Sequence, residues 1–260
     1  MAKLNISLGQ MQIILGEPQK NFALVSEWTA EAARRGSHIV VFPELWSTGY
    51  ALSRGQELAT AINAGLFAEI SALAAQHKIS MVGSLLEKRG TGVFNSAPFI
   101  SPAGRVLGVY RKIHLFRLFD EDRWLEPGES TLALDLPWGR TAFAICYDLR
   151  FPELFRHYAV DGARLIIIPA EWPLARVEHW RTLLQARAIE NQCYIVAVNA
   201  VGETGDTTFA GHSMIVDPWG KIVIEAGEQP LLLTAEIEMD AVSDIRQRIP
   251  VFEDRRPDLY

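Results

Sequence analysis

Three short apolar segments of this chain each end at a reactive side chain. These side chains are Glu44 after residues 39–43, Lys112 after residues 106–111, and Cys146 after residues 142–145. Apolar runs of this length are typical of buried strands, and α/β proteins collect their binding and reacting groups where such strands end. The pattern therefore predicts an α/β fold in which a carboxylate, an ammonium and a thiol could converge on one point.

Strand-like and helix-like segments alternate along the rest of the chain. Residues 56–78 are predicted to be mostly helical, because their apolar side chains recur at helical spacing. Residues 95–107 and 211–223 each show a strand pattern, then a turn containing proline and glycine, then a second strand pattern. Such turns predict two β-hairpins. The likeness of these two segments suggests that the fold contains two related halves.

The length and composition favour one domain. A chain of 260 residues with 49% hydrophobic residues can bury a full core, and we expect a single α/β domain over residues 1–260. The tail at 246–260 is polar and contains two prolines, which predicts an extended, packed segment. The net charge is −6, and no basic stripe occurs, so nucleic acid and anionic membranes are poor candidates for a partner.

Several features favour a cytoplasmic protein. No apolar stretch reaches the roughly 18 residues that a bilayer-spanning helix needs. The first seven residues lack the long apolar run of a signal peptide, because polar residues interrupt them. The two cysteines, Cys146 and Cys193, do not make a disulfide framework. We therefore expect the chain to act in the cytoplasm.

The three reactive side chains have complementary chemistry. A nearby ammonium favours the thiolate of Cys146, and a nearby carboxylate can take the thiol proton as a general base. Lys112 and the backbone N–H of Tyr147 could stabilise the oxyanion of a tetrahedral intermediate. Together, these groups predict acyl transfer through a thioester.

Each of the three residues also has a plainer interpretation when it is taken alone. Cys146 could be a small buried hydrophobe, Glu44 a loop carboxylate or helix cap, and Lys112 a solvated surface lysine. Spacing along the chain does not decide between these interpretations.

Ordered motifs along nearly the whole chain resemble the nitrilase superfamily of carbon–nitrogen hydrolases. The matching segments are Phe42-Pro43-Glu44, residues 110–116, residues 146–153, residues 186–192 and Asp217-Pro218-Trp219-Gly220. The resemblance implies an α-β-β-α sandwich that forms four-layer assemblies, and therefore a homodimer or a larger homo-oligomer. It assigns Glu44 as general base, Lys112 as stabiliser of the oxyanion and transition state, and Cys146 as nucleophile.

The superfamily often has a second active-site glutamate that orients the lysine and the substrate. Within residues 119–124 the candidate is Glu121, whose alternative interpretation is a charge in an exposed acidic loop. The six histidines are scattered without metal-binding spacing, and no nucleotide-binding glycine motif occurs, so neither a metal nor a nucleotide cofactor is predicted.

The residues around the nucleophile indicate a branch of the superfamily. True nitrilases usually have Cys-Trp-Glu, whereas this chain has Cys146-Tyr147-Asp148, which is similar to amidases that include the omega-amidases. Residues 171–176 and 179–180 are similar to bacterial members of that group. The resemblance implies hydrolysis of the terminal amide of dicarboxylate monoamides such as 2-oxoglutaramate.

A substrate of this class carries a free carboxylate, which an arginine can bind with two hydrogen bonds. Arg176 and Arg150 are the candidates, although Arg150 is more typical of a structural ion pair beneath the site. Trp172 and Tyr50 could line the pocket or belong to the core. His114 is expected to hold its loop through a hydrogen bond.

Other functions remain open at this point. The same three residues would serve an N-carbamoyl amine hydrolase, a deaminated-glutathione amidase, a nitrilase or a glutamine-amidotransferase subunit. A non-catalytic binding protein on the same fold is the alternative from another class. Retention of all three reactive residues argues against it.

Overall fold

The apolar segments form β-strands that belong to two stacked sheets. The computed structural model describes residues 3–204 and 206–259. Within these residues the strands are β1 (Lys3–Gln10), β2 (Ile39–Val41), β3 (Ser80–Val82), β4 (Leu85–Arg89), β5 (Gly92–Ile100), β6 (Val106–Arg111), β7 (Ala133–Leu136), β8 (Gly139–Phe143), β9 (Leu165–Ala170), β10 (Tyr194–Asn199), β11 (Val201–Thr204), β12 (Thr207–Ala210), β13 (Met214–Val216), β14 (Ile222–Glu225) and β15 (Leu231–Glu238).

Helices connect most of the parallel strands and cover the outer faces of the sheets. The helices are α1 (Pro18–Arg34), α2 (Gly55–Leu58), α3 (Gly65–His77), α4 (Glu121–Trp124), α5 (Pro152–Val160), α6 (Val177–Asn191) and α7 (Ala241–Arg248). Short 3₁₀ turns span Leu52–Arg54, Arg117–Phe119, Cys146–Arg150 and Leu174–Arg176.

The two sheets have matching strand orders when the second is read in reverse: each has one antiparallel strand, then three parallel strands, then antiparallel strands. In the first sheet the order is β15-β1-β2-β3-β5-β4, with β6 paired to β5, and in the second it is β14-β13-β10-β9-β8-β7. β1, β2 and β3 are parallel, as are β8, β9 and β10. Each parallel set leads into an antiparallel hairpin, β5–β6 or β13–β14. The topology thus supports the expectation of two related halves.

The buried side chains divide into layers. Leu4, Ile6 and Leu8 alternate along β1 and pack with apolar residues of the second sheet, so this face forms the layer between the sheets. Val40 of β2 points the other way and joins a cluster with residues of α1 and α3. On the second sheet, α5 and α6 contribute buried side chains to the outer face. The architecture is the predicted α-β-β-α sandwich.

Both predicted hairpins are present. Gly104 and Gly220 occupy their turns with φ values of 73° and 83°, a backbone conformation that glycine adopts without strain. Asp217 closes the second turn, because its Oδ1 accepts hydrogen bonds from the backbone N–H groups of Trp219 (2.8 Å) and Lys221 (2.9 Å).

The predicted helix over residues 56–78 is confirmed for most of its length, but it is interrupted at residues 59–64. The structure breaks it into α2 and α3, because Thr60 pairs with strand β4 instead of continuing a helix. The Thr60 N–H donates to the Leu86 carbonyl at 3.3 Å, and the Lys88 N–H donates to the Thr60 carbonyl at 2.9 Å. The sequence has helical periodicity on both sides of the break, so it does not indicate that Thr60 pairs with a distant strand.

The tail predicted over 246–260 does not begin as an extended segment, and residues 256–259 near its end are exposed, while residue 260 lies outside the described residues. Residues 246–248 form the last turn of α7, and a turn around Pro250 follows. The residue before a proline disfavours helical geometry, which accounts for the end of α7 near Ile249. Arg246 fastens this segment by donating to the Ala163 carbonyl at 2.7 Å.

The ends of the two parallel strand sets meet at one edge of the sandwich. Ala170, the last residue of β9, accepts hydrogen bonds from the N–H groups of Glu44 (3.4 Å) and Ala200 (3.0 Å). This contact joins the loop after β2 to the ends of β9 and β10. Cys146 lies three residues beyond β8 at the same edge. No helix in the described part of the chain is long and apolar enough to cross a membrane.

Candidate active site

A buried ammonium lies between two carboxylates at this edge. The Lys112 Nζ donates to Glu44 Oε1 at 2.7 Å and to Glu121 Oε1 at 2.6 Å. All three side chains have 0% exposure, although they come from separate segments: the loop after β2, the end of β6 and the start of α4. The alternative interpretation of Glu121 as an exposed loop charge is therefore wrong, as is that of Lys112 as a surface lysine.

The carboxylate of Glu44 has three hydrogen-bond donors. Its Oε1 also accepts from Asn95 Nδ2 at 2.8 Å, and its Oε2 accepts from the backbone N–H of Glu171 at 2.9 Å. These contacts hold both oxygens in place. A carboxylate fixed in this way keeps its orientation toward the neighbouring groups.

Cys146 begins the 3₁₀ turn that follows β8. Its φ is +44°, a left-handed conformation that is uncommon for residues other than glycine and that clusters at functional sites. The residue is 5% exposed, and its Sγ lies 3.8 Å from the backbone carbonyl oxygen of Glu171. Since the Glu171 N–H binds Glu44, one peptide segment contacts both the thiol and the carboxylate.

Glu121 is held as firmly as Glu44. Its Oε1 accepts from Tyr50 Oη at 2.9 Å in addition to Lys112, and its Oε2 accepts from the Phe116 N–H at 2.7 Å. The Tyr50 ring packs edge-on against Phe119, with 4.8 Å between ring centroids. Tyr50, predicted as a pocket or core residue, thus fixes Glu121 through its hydroxyl.

Burial and charge set the protonation states of these groups. Burial opposes the ammonium of Lys112, but the charges of Glu121 and Glu44 outweigh it and raise the pKa of Lys112 above its usual value. Burial, with the charge of Glu44, raises the pKa of the Cys146 thiol well above its usual range, and Lys112 only partly offsets this. The lysine is therefore charged and the cysteine is a neutral thiol in the resting protein.

Glu121 also differs from an ordinary carboxyl group. Burial raises its pKa, Lys112 opposes that rise, and the negative charge of Glu44 adds to it. Glu44 and Glu121 are two buried carboxyl groups that both contact the ammonium of Lys112. The lysine is the group that makes this arrangement possible.

A narrow cleft leads to the thiol. Its lining residues are Phe116, Cys146, Tyr147, Arg150, Glu171, Trp172, Pro173 and Arg176. The Arg150 guanidinium lies over the Trp172 ring at 4.7 Å, and that of Arg176 lies over the Phe116 ring at 5.6 Å. Both predicted arginines therefore face the cleft.

Of the two positions that the sequence suggested for Arg150, the structure shows the one in the cleft and not the one beneath the site. Its guanidinium group lies over the Trp172 ring, and its Nη2 is 3.3 Å from His179 Nδ1. Within the described part of the chain, these contacts take the place of the ion pair expected beneath the site. Burial, followed by the positive charge of Arg176, lowers the pKa of Arg150. The two cations are therefore close enough to act on each other and to attract an anion together.

Trp172 and Tyr147 form walls of the cleft. The indole of Trp172 is buried, and its Nε1 donates to the Arg176 carbonyl at 2.8 Å. The Tyr147 ring packs against Phe116 with 4.9 Å between centroids. The backbone N–H of Tyr147 follows directly after the thiol-bearing residue, the position predicted for an oxyanion contact.

Sequence reasoning did not single out Asp148, which anchors the turn that carries Cys146. Its buried carboxylate accepts from Tyr110 Oη at 2.7 Å, from the Ile145 N–H at 2.8 Å and from the His114 N–H at 3.1 Å. His114 Nδ1 lies 2.7 Å from the same carboxylate, which confirms that His114 holds its loop by hydrogen bonding. A charged residue two positions past the predicted nucleophile was the available signal.

Asn95 and Glu171 were also missed. Asn95 lies inside β5, so only its partner Glu44 reveals its importance. Glu171 directly follows the apolar strand β9, the same signal that identified Glu44 and Cys146. Within residues 3–204 and 206–259, no cluster of three or more His, Cys, Asp or Glu side chains is arranged to hold a metal ion.

The arrangement has the groups that thiol-based acyl transfer requires. A neutral thiol lines the cleft, and a fixed carboxylate able to accept its proton and a buried ammonium both act on that thiol from behind it. Two guanidinium groups at the cleft can bind a carboxylate.

Comparisons with known proteins agree with this geometry. The family model described as carbon-nitrogen hydrolase matches residues 5–247. The chain belongs to the carbon–nitrogen hydrolase family, so the predicted family and fold are confirmed.

Two curated relatives and one solved structure are similar over their full lengths. A 2-oxoglutaramate amidase of Bacillus subtilis is 39% identical over 99% of this chain and 100% of its own. Omega-amidase NIT2 of Homo sapiens is 32% identical over 100% of this chain and 98% of its own. A CN-hydrolase superfamily protein of Xanthomonas campestris, with an arsenic adduct in its active site, superimposes with a TM-score of 0.93. That protein is 32% identical, and the match covers 98% of each chain.

The neutral state of the thiol can be tested by chemical modification. We expect methyl methanethiosulfonate to modify Cys146 slowly at neutral pH. The rate should rise only at pH values above the usual titration range of a cysteine, because the raised pKa keeps the thiolate scarce. Mass spectrometry of the modified peptide across the neutral and alkaline range measures this.

The Cys146→Ala protein supplies the control, because it keeps Cys193, whose pKa burial raises to about 12. Rapid modification of Cys146 that is independent of pH near neutrality would show instead a resting thiolate paired with Lys112.

Proposed function

We propose that this chain is an omega-amidase that hydrolyses the terminal amide of dicarboxylate monoamides such as 2-oxoglutaramate. The observation that carries the proposal is the pair of guanidinium groups, Arg150 and Arg176, in the same narrow cleft as the Cys146 thiol. A monoamide of this class has an amide at one end and a carboxylate at the other. The similarity to a 2-oxoglutaramate amidase supports the same substrate class.

In the first half of the proposed reaction, the enzyme is acylated. Glu44 takes the proton of the Cys146 thiol as Sγ attacks the amide carbon, which moves one electron pair onto the carbonyl oxygen. The Lys112 ammonium and the Tyr147 N–H stabilise that oxyanion. When the C–N bond breaks, Glu44 returns the proton to the nitrogen, ammonia leaves, and a thioester remains on Cys146.

In the second half, water replaces ammonia at the same carbon. Glu44 takes a proton from the water as its oxygen attacks the thioester, and the same two donors stabilise the new oxyanion. The C–S bond then breaks, the sulfur regains the proton from Glu44, and the dicarboxylic acid departs. Glu44 therefore acts twice, which fits the three donors that fix its orientation.

Glu121 has a supporting role in this proposal. Its contact with Lys112 keeps the ammonium charged and directed toward the reacting carbonyl, while Tyr50 keeps Glu121 in place. The neutral resting thiol means that proton transfer to Glu44 accompanies the attack and does not precede substrate binding.

At the other end of the substrate, we propose that Arg176 and Arg150 bind the free carboxylate and that Trp172 forms the adjacent wall. Stacking on Phe116 and Trp172 restricts both guanidinium groups, so less conformational freedom is lost when an anion binds.

The other amide and carbamoyl hydrolases considered above would use the same centre with a different pocket. A nitrilase is less favoured, because this chain has Tyr147 and Asp148 after the nucleophile. A non-catalytic binding protein would not need a buried lysine held between two carboxylates beside a thiol.

We also propose that the chain acts in the cytoplasm as a homodimer or larger assembly. Ile189 of α6 and Trp219 of the turn between β13 and β14 are each 53% exposed, and a partner chain could cover them. Light scattering should give at least twice the 29.0 kDa mass of one chain. A mass of one chain would contradict this assembly.

The substrate class can be tested by ammonia release. The purified chain should prefer 2-oxoglutaramate and succinamate to glutamine, an N-carbamoyl amine, a plain aliphatic amide and a nitrile. Cys146→Ala should abolish turnover, whereas the matched Cys193→Ala change, at a buried thiol outside the cleft, should leave it. Preference for a carbamoyl compound, a plain amide or a nitrile would refute the omega-amidase assignment.

The role of the two arginines can be tested separately. Arg176→Gln or Arg150→Gln should raise KM for 2-oxoglutaramate about ten- to a hundredfold, since a charge-assisted hydrogen bond contributes roughly 1.5–3 kcal/mol. Steady-state kinetics with 2-oxoglutaramate and with propionamide separate carboxylate binding from the chemistry, because propionamide has no carboxylate.

Arg34→Gln, at an arginine whose side chain is 76% exposed on α1, is the matched control and should change neither value. Equal losses on both substrates in the cleft variants would show that the arginines act on the structure of the site and not on the carboxylate.

A further inference from the structure

Glu171 is a third buried carboxyl group near the thiol, and unlike Glu44 and Glu121 it is one of the residues that line the cleft. Glu44 and Glu121 each accept three hydrogen bonds. Glu171 is only 1% exposed, yet within the described part of the chain neither its Oε1 nor its Oε2 has a hydrogen-bond partner. Glu171 is among the residues that line the cleft beside Cys146. A buried polar group without a protein partner in a binding cleft is placed to meet a ligand.

The same observations indicate that Glu171 is uncharged. An ionised carboxylate that is buried without a hydrogen-bond donor is far less stable than the protonated acid. Burial and the charge of Glu44, opposed by Lys112, raise the pKa of Glu171 well above its usual range. A neutral carboxyl group has one O–H donor and one carbonyl acceptor to offer.

The backbone of Glu171 shows where this group stands along a bound substrate. Its carbonyl oxygen is 3.8 Å from the Cys146 Sγ and its N–H is 2.9 Å from Glu44 Oε2, so the residue begins beside the reacting carbon. In 2-oxoglutaramate the oxo carbon is three C–C bonds, about 4 Å, from the amide carbon. A substrate that spans from the thiol to the arginines therefore has its oxo group in the same cleft that Glu171 lines.

We propose that Glu171 is a specificity-determining residue whose neutral carboxyl group donates a hydrogen bond to the 2-oxo oxygen of the substrate. This inference rests on the proposed function, because it assumes a dicarboxylate monoamide held between Cys146 and the arginines. It adds a reason for selecting 2-oxo acid amides over the corresponding amino acid amides.

The charges of the cleft agree with that selection. Arg150 and Arg176 line the cleft with two positive charges, and Lys112 adds a third behind Cys146, which favours a substrate with a net negative charge. Glutamine instead brings an ammonium next to its carboxylate, where the two guanidinium groups repel it. A neutral Glu171 offers no negative charge to compensate for that repulsion.

The test compares kcat/KM for 2-oxoglutaramate with that for glutaramate, which has a methylene group in place of the oxo group. The natural chain should prefer 2-oxoglutaramate about tenfold or more. Glu171→Leu, similar in size but unable to form hydrogen bonds, should reduce that ratio toward one. Glu171→Gln should keep most of it, because the amide N–H can replace the carboxyl O–H.

The pH dependence supplies a readout that a merely structural role would not change. As the pH rises through the raised pKa of Glu171, the carboxyl group loses its proton, so the preference for the oxo substrate should fall in the natural chain. In Glu171→Gln the preference should stay constant over the same range. Glu27→Leu, at an exposed position on α1, is the control that should leave both the ratio and its pH profile unchanged.

The outcomes separate the role of Glu171 from the omega-amidase proposal. An unchanged ratio in Glu171→Leu, or a Glu171→Gln ratio that falls to one, would overturn the role of Glu171 while leaving the omega-amidase proposal intact. If Glu171→Leu does not fold, the pH profiles of the natural chain and Glu171→Gln decide the question, and identical profiles would refute the inference. Turnover of propionamide without turnover of either monoamide would overturn the proposed function itself, and this inference with it.

Discussion

The ammonium of Lys112, shared by the carboxylates of Glu44 and Glu121, is the contact on which the rest of the site depends. Its two hydrogen bonds, 2.7 and 2.6 Å long, join three segments that are far apart in the sequence. Without the lysine, two buried carboxylates would face each other unpaired, and removal of one partner from a buried ion pair typically costs about 3–5 kcal/mol. The lysine therefore organises the site as well as supplying a charge for chemistry, and loss of activity on its removal would not separate these roles.

Much of the fold and the three reactive residues could be predicted, because local patterns encode them. An apolar strand that ends at a functional side chain identified Glu44, Lys112 and Cys146, and Pro–Gly turns identified the hairpins at Gly104 and Gly220. The family motifs then added Glu121. The same strand-end signal marks Glu171, but the sequence does not reveal that its carboxyl group lacks hydrogen-bond partners, and this absence sets it apart from Glu44.

The remaining features depend on distances between segments that no local pattern encodes. The interruption of the helix over 56–78 follows from the pairing of Thr60 with β4, and the position of Arg150 follows from the Trp172 ring. The protonation state of Cys146 also depends on distances between segments. A nearby ammonium favours a thiolate, but burial and the charge of Glu44 outweigh Lys112, and only the three-dimensional structure shows that balance. The Cys146 thiol and the Glu171 carboxyl group, whose pKa values are both raised mainly by burial, thus line one cleft.

The proposed mechanism requires Cys146 to form a thioester with the acyl part of the substrate. Acid quenching during turnover of 2-oxoglutaramate, followed by peptide mass spectrometry, detects this intermediate directly. The peptide containing Cys146 should gain the mass of the substrate less ammonia, the adduct should disappear as substrate is consumed, and the peptide containing Cys193 should stay unmodified. Steady ammonia release with no adduct on Cys146 at any quench time, in a Glu44→Gln variant as well as in the natural chain, would contradict it.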